Sequence, residues 1–135
     1  MMKDLPIDSK DFHSFGDLIG LKFTKVEKGY SQCVIEVNKK LYNPHNVLHG
    51  GVLYSMADTG MGGAVYPYLE KGELCATVEI KITYFTAVKS GKIVCDTKVI
   101  HKRKKIVILE SELTHNDQLI AKAIGTYSIF KLKHD

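Results

Sequence analysis

Along most of the chain apolar and polar residues alternate at the period of a β-strand, and one stretch in the first half breaks that rhythm. Val78, Ile80, Ile82 and Tyr84 alternate with Glu79, Lys81 and Thr83, which predicts a strand with one dry and one wet face. Residues 21–27 and 30–38 read as two earlier strands joined at Lys28-Gly29, a hairpin. Residues 92–100, 106–114 and 119–130, rich in Val, Ile and Thr, supply three more. The basic run from His101 to Lys105 and the pair Asn116-Asp117 separate them as turns. Residues 12–18 predict a short helical turn.

Residues 51–65 are the exception. Leu53, Met56, Ala57, Met61, Ala64 and Val65 recur mostly at spacings of three and four, so this stretch predicts the one long helix, stopped at Pro67. Gly60, Gly62 and Gly63 each cost a helix ~1 kcal/mol relative to alanine, and the expected compensation is another backbone packed very close. The order strand, strand, helix, four strands predicts an α+β fold in which an antiparallel sheet packs on that helix.

At 135 residues, 44% hydrophobic and 25% charged, the chain fits a single domain over 1–135. No apolar run reaches the ~18 residues of a membrane span. Residues 1–10 lack the apolar stretch of a secretory signal, so a soluble, cytoplasmic protein is expected. Cys33, Cys75 and Cys95 lie far apart without a CxxC, which predicts buried, reduced thiols. A net charge of +4, densest in the short run at 101–105, points to a small anionic ligand and away from nucleic acid.

Polar residues crowd the entrance to the long helix, at Asn43, His45, Asn46, His49, Gly50 and Gly51. A helix start offers unpaired N–H groups and partial positive charge, and glycines there let a carbonyl oxygen approach. Gly50 and Gly51 are therefore candidates for an oxyanion hole. Asp58 interrupts an otherwise apolar helix face, which marks it as a candidate nucleophile or general base. Eight residues separate Asp58 from Gly50, or about 12 Å of helix at ~1.5 Å per residue, so one chain does not easily present both groups to one carbonyl. Two copies of the helix, antiparallel across a two-fold axis, would bring Asp58 of one beside Gly50 of the other.

Asn43, five residues, His49-Gly50-Gly51, six residues, Asp58: this spacing resembles the signature of hotdog-fold acyl-CoA thioesterases of the PaaI-like branch, the phenylacetate-pathway and 4-hydroxybenzoyl-CoA enzymes. The likeness continues from Thr77 to Phe85 and covers about residues 20–130. It implies a hotdog fold, an antiparallel sheet wrapped around one long central helix, in a homodimer with shared active sites that pairs into a homotetramer. It implies an acyl-CoA substrate and no cofactor, with CoA part of the substrate. Gly50 N–H would polarise the thioester carbonyl, Asn43 would position substrate or water, His49 would orient the loop, Thr77 would hold the attacking water, and Asp58 would act from the opposite subunit. Lys102, Arg103 and Lys104 are candidates for the CoA phosphates, although this branch commonly has a glycine in that turn. Gly51, Tyr84 and Phe85 are candidates for substrate contact, and Tyr54, Tyr66, Tyr68 and Phe85 suit an aromatic or medium-length acyl group.

Other chemistries fit less well. His45 and His49 have a metal-ligand spacing, but Pro44 disfavours helix there and no HExxH glutamate is present, so no metal is expected. Asp58-Thr59-Gly60 matches the aspartic-protease triplet, which belongs at the end of a strand and here follows Ser55-Met56-Ala57 in helical register. Ser55 lacks a GxSxG elbow, and no cysteine has an evident histidine partner. His13, His101, His115 and His134 read as surface residues. A non-catalytic acyl-CoA-binding domain is the alternative function, and it would need neither Asp58 nor Asn43; a hydratase would need a differently spaced His and acid.

Overall fold

A computed structural model describes residues 13–132. The expectations for residues 1–10, for Phe12 and for His134 lie outside that range. A short helix α1, Ser14–Ile19, leads into the hairpin β1, Lys22–Glu27, and β2, Tyr30–Val37. A 3₁₀ turn at Lys39–Leu41 and a loop precede the long helix α2, Gly50–Val65, which passes into a second 3₁₀ turn, Tyr66–Tyr68, containing Pro67. Then come β3, Glu73–Tyr84, β4, Gly91–Lys102, β5, Ile106–His115, and β6, Gln118–Lys131. β1 and β2 are each one residue shorter than the sequence pattern suggests, whereas β3 to β6 run longer, β3 most of all because its pairing with β6 begins at Glu73.

All six strands form one antiparallel sheet in the order β1-β2-β4-β5-β6-β3. This is the α+β architecture that the sequence predicts. The inner face of the sheet, including Ile35, Ile93, Leu109 and Leu113, closes over Leu53, Met56, Ala57 and Met61 of α2. Asn116 and Asp117 both adopt positive φ, the conformation a two-residue hairpin turn requires.

Two of the helix glycines are closely packed, although against side chains of the sheet and not against the second backbone that the sequence reading expects. A Cβ on Gly60 would stand 2.7 Å from Thr97 Oγ1, and one on Gly63 would stand 2.6 Å from the Phe23 ring. The helix backbone is also tied to the sheet by buried polar groups. Ser31 Oγ donates to the Gly60 carbonyl at 2.5 Å, and Thr97 and Ser111 share a hydroxyl hydrogen bond of 2.6 Å. Gly62 differs: its Cβ would meet only the Tyr127 ring, at 3.9 Å.

One alternation is corrected. Ile80 and Ile82 pack against the core as expected, but Val78 is 60% exposed, because β3 slips register against β6 between Thr77 and Glu79. A bulge changes which parity faces inward. Below it Cys75 and Thr77 face the helix, and above it Ile80 and Ile82 do.

Candidate active site

The loop entering α2 is held from within. Asn43 Oδ1 accepts the N–H groups of His45 at 2.8 Å and Val47 at 3.3 Å, while Asn43 N–H donates to the Val47 carbonyl at 2.8 Å. His49 N–H donates to the Leu41 carbonyl at 2.9 Å and Leu48 N–H to the Val88 carbonyl at 2.8 Å, which fixes the loop to its neighbours. His49 is the N-cap of α2, and its Nδ1 accepts the Gly51 N–H at 2.7 Å. That bond requires a lone pair on Nδ1, so the neutral ring carries its proton on Nε2.

The consequence corrects the reading of Gly50 and Gly51 as a pair of donors: the Gly51 N–H is taken by His49. Gly50 N–H is one of the donors that a helix start leaves without an intrahelical acceptor. Tyr84 OH donates to the Gly50 carbonyl at 2.7 Å, and burial, followed by the nearby Tyr54 phenol, raises its pKa so that it keeps that hydrogen. Asn43, Gly50, Leu53, Tyr84 and Phe85 line one open cavity of about 320 Å³.

Asp58 sits two turns further along α2, half-buried, in the helical register that separates it from the protease triplet. Thr77 Oγ1 donates to Asp58 Oδ1 at 2.6 Å. The Tyr127 hydroxyl, from β6, donates to the Asp58 main-chain oxygen at 2.6 Å and also reaches Oδ1. Burial, then the hydrogen bond to Asp58, pushes the Tyr127 phenol well above its ordinary pKa, so it remains a donor. Both hydroxyls converge on Oδ1, and among the described residues Oδ2 accepts no hydrogen bond. The bulge in β3 makes this possible: an unbroken alternation with Ile80 and Ile82 inward would turn Thr77 away from the helix. Since its hydrogen is committed to Asp58, Thr77 meets a water only as an acceptor.

Asp58, Thr77 and Tyr127 line a second cavity, of about 280 Å³, with Phe23, Gly62 and Tyr66 among its other walls. None of its residues lines the Gly50 cavity. Within one chain the candidate residues therefore fall into two separate groups, Asn43, Gly50, Tyr84 and Phe85 at one end of the helix and Asp58 with Thr77 further along it.

Lys102 closes β4, with Nζ 5.1 Å from the Tyr68 ring centroid, and Lys28 stands 5.4 Å from the same ring. Arg103 and Lys104 follow in the exposed turn. Tyr68 thus serves the lysines and lines neither cavity, Tyr54 is exposed, Tyr66 lines the Asp58 cavity and Phe85 the Gly50 cavity. His13, expected at the surface, is half-buried: its Nδ1 accepts the Gly16 N–H at 2.8 Å, and its side chain borders the Asp58 cavity. Cys33 and Cys95 are buried free thiols, whereas Cys75 is half-buried beside Asp58. The sequence pattern missed Tyr127. On β6 the inward positions Ala121, Ala123, Gly125, Tyr127 and Ile129 include one polar-tipped residue, and that was the available signal.

Residues 45–122 match the model of the thioesterase superfamily. The chain is 35% identical to the "Putative esterase SSO1253" of Saccharolobus solfataricus, over 85% of this chain and 77% of that protein. It is 26% identical to a 1,4-dihydroxy-2-naphthoyl-CoA hydrolase of Listeria monocytogenes, over 73% of this chain and 80% of that one. In fold it resembles the crystal structure of a mutant thioesterase from Pseudomonas aeruginosa, with a TM-score of 0.88 at 21% identity, covering 98% of this chain and 97% of the other.

Proposed function

This chain belongs to the thioesterase superfamily, has its hotdog fold and is a thioester hydrolase, and from that premise we propose that it hydrolyses acyl-CoA at sites shared by two subunits, with Asp58 as the reacting carboxylate. The observation that carries this reading is the division of the machinery: Asp58 has one oxygen held by Thr77 and Tyr127, and the helix-mouth donor at Gly50 lies in a different cavity.

The free edge of the sheet supplies the means of joining them. Among the described residues β3 is a terminal strand, twelve residues long, with no neighbour on its outer side, and an edge of that length invites pairing. An antiparallel pairing of two β3 strands centred between Ile80 and Lys81 sets Thr77 opposite the partner's Tyr84. Because Thr77 binds Asp58 and Tyr84 binds Gly50, that register brings each carboxylate toward the other chain's helix mouth.

In such a site the thioester oxygen accepts the Gly50 N–H of one chain, and Asp58 of the other supplies an electron pair from Oδ2. The pair goes to the carbonyl carbon, forming an anhydride that water then cleaves, or to the proton of a water that attacks. Negative charge gathers on the former carbonyl oxygen and is stabilised at the helix start, after which the carbon–sulfur bond breaks and CoA leaves as its thiolate, later protonated. Asn43 and His49 keep the mouth in shape through their bonds to the loop backbone. The basic turn at 103–105 lies at the Thr77 end of the sheet, since Ile106 and Ala76 both pair with Ser128, and this favours Lys102, Arg103 and Lys104 for the CoA phosphates.

Asp58→Asn preserves the Thr77 and Tyr127 bonds to Oδ1 and removes the reactive oxygen. Assayed on a panel of acyl-CoA esters, it is expected to lose about 10²–10⁴-fold in kcat. Full activity on every ester would refute the assignment. Solvent ¹⁸O found in Asp58 after a single turnover marks direct attack; where the label is confined to the product, hydroxylamine trapping of an acyl–Asp58 anhydride decides between direct attack and general base catalysis.

A further inference from the structure

Gly62 is the one glycine of α2's second half that packing does not explain. Gly60 is pressed against Thr97 and Gly63 against Phe23, but a Cβ at position 62 would have only the Tyr127 ring in reach, at 3.9 Å, an ordinary contact. Helix propensity favours alanine at such a site. What Gly62 does border is the cavity beside the Asp58 carboxylate, one helical turn on from Asp58, with the Phe23, Tyr66 and Tyr127 rings and Cys75 around it. Any side chain there would take up room in that cavity.

We infer that this cavity receives the acyl group and that Gly62 sets the size of acyl group admitted. The inference rests on the reading of Asp58 as the reacting carboxylate. The lining is mostly aromatic and apolar, with Thr59, Thr77 and the Tyr127 hydroxyl beside Asp58 and His13 as a further polar wall, so an acyl chain enters with its carbonyl at the carboxylate and its tail over Gly62. A volume of about 280 Å³ is below the ~300–1,000 Å³ of pockets that enclose drug-sized ligands. It holds one ring or a chain of a few carbons, and because the cavity is open to one side a long fatty acyl group would leave most of its length outside the aromatic walls. The enclosing aromatic rings give a compact apolar tail its contact area.

The test is a series of kcat/KM values for acetyl-, hexanoyl-, benzoyl- and palmitoyl-CoA with wild type, Gly62→Ala and Gly62→Leu, alongside thermal unfolding. Expected is a wild type that hydrolyses hexanoyl- or benzoyl-CoA better than palmitoyl-CoA. The ratio of hexanoyl or benzoyl to acetyl turnover should fall by about tenfold or more in Gly62→Leu and by less in Gly62→Ala, as added methylenes in an apolar pocket do. Gly62→Ala should melt no lower than wild type, which separates lost room from lost fold and carries the test if the leucine variant does not fold. If wild type is active and Asp58→Asn is dead, yet the ratio does not move in a folded Gly62 variant, this inference falls and the Asp58 reading stands. If Asp58→Asn is as active as wild type, both fall.

Discussion

Tyr127 reaches from β6 to Asp58 on α2, its hydroxyl 2.6 Å from the Asp58 main-chain oxygen and in contact with the carboxylate Oδ1. The bond both seats the helix on the sheet and aims the carboxylate, so its removal should appear in two independent measurements.

In the first, Tyr127→Phe loses a hydrogen bond to a charged group, worth about 1.5–3 kcal/mol, and kcat should fall roughly ten- to hundredfold with a smaller change in KM. Thr77→Val, which removes the other donor to Oδ1, should act in the same direction. If both single variants keep the wild-type kcat, the two hydroxyls do not position Asp58.

The second is the response to alkali. The unfolded phenol ionises near 10.0, and burial and the Asp58 bond raise the folded one above that. Between the two values the folded state holds a proton that the unfolded state has released, so stability falls as pH rises. Tyr127's contribution is thus complete below about pH 10 and lost on going up toward its folded pKa. Denaturant midpoints at about pH 9 and pH 11 should therefore drop further in wild type than in Tyr127→Phe. Equal drops would mean that the phenol is not held protonated by the fold.

The helix mouth offers a cleaner deletion than most oxyanion sites. Gly50 is the first residue of α2, where proline is well tolerated, and His49 before it has φ −65 and ψ 132, the extended conformation a following proline requires. Gly50→Pro therefore removes the N–H while keeping the helix. A Cβ at position 50 stands 3.0 Å from the Tyr84 ring, so Gly50→Ala carries the same crowding and keeps the donor. The proline variant should be slower than the alanine variant by about 10²–10³-fold in kcat. Similar rates in the two would remove Gly50 from the oxyanion role.

The same helix predicts opposite outcomes for two glycines. Gly60→Ala drives a Cβ to 2.7 Å from Thr97 Oγ1, inside a buried hydroxyl network, and should destabilise by about 1–3 kcal/mol. Gly62→Ala meets no such obstacle and should stabilise by up to ~1 kcal/mol. Urea denaturation measures both, and equal destabilisation would contradict the packing described for α2.

These contrasts also show where sequence reasoning succeeded and where it stopped. The long helix and most strands were legible because their periods differ and the chain keeps each period over many residues. The separation of Gly50 from Asp58 followed from helical rise alone. The bulge at Val78 was not legible, because Val78, Ile80, Ile82 and Tyr84 form an unbroken alternation and the slip depends on pairing with β6. Tyr127 was hidden for a related reason: its link to Asp58 arises only when β6 is set beside β3, with Thr77 opposite Tyr127. The Gly51 N–H looked available until His49 proved to be its cap, since a histidine N-cap has weak sequence precedent beside Ser, Thr, Asp and Asn.

The shared site is tested most directly by mixing two inactive proteins, Asp58→Asn and Gly50→Pro, under conditions in which subunits exchange. A mixed dimer combines the intact Gly50 of one chain with the intact Asp58 of the other at one of its two sites, so random pairing should restore about a quarter of wild-type activity. Activity that stays at the level of the separate variants after exchange is demonstrated would contradict a site built from two chains.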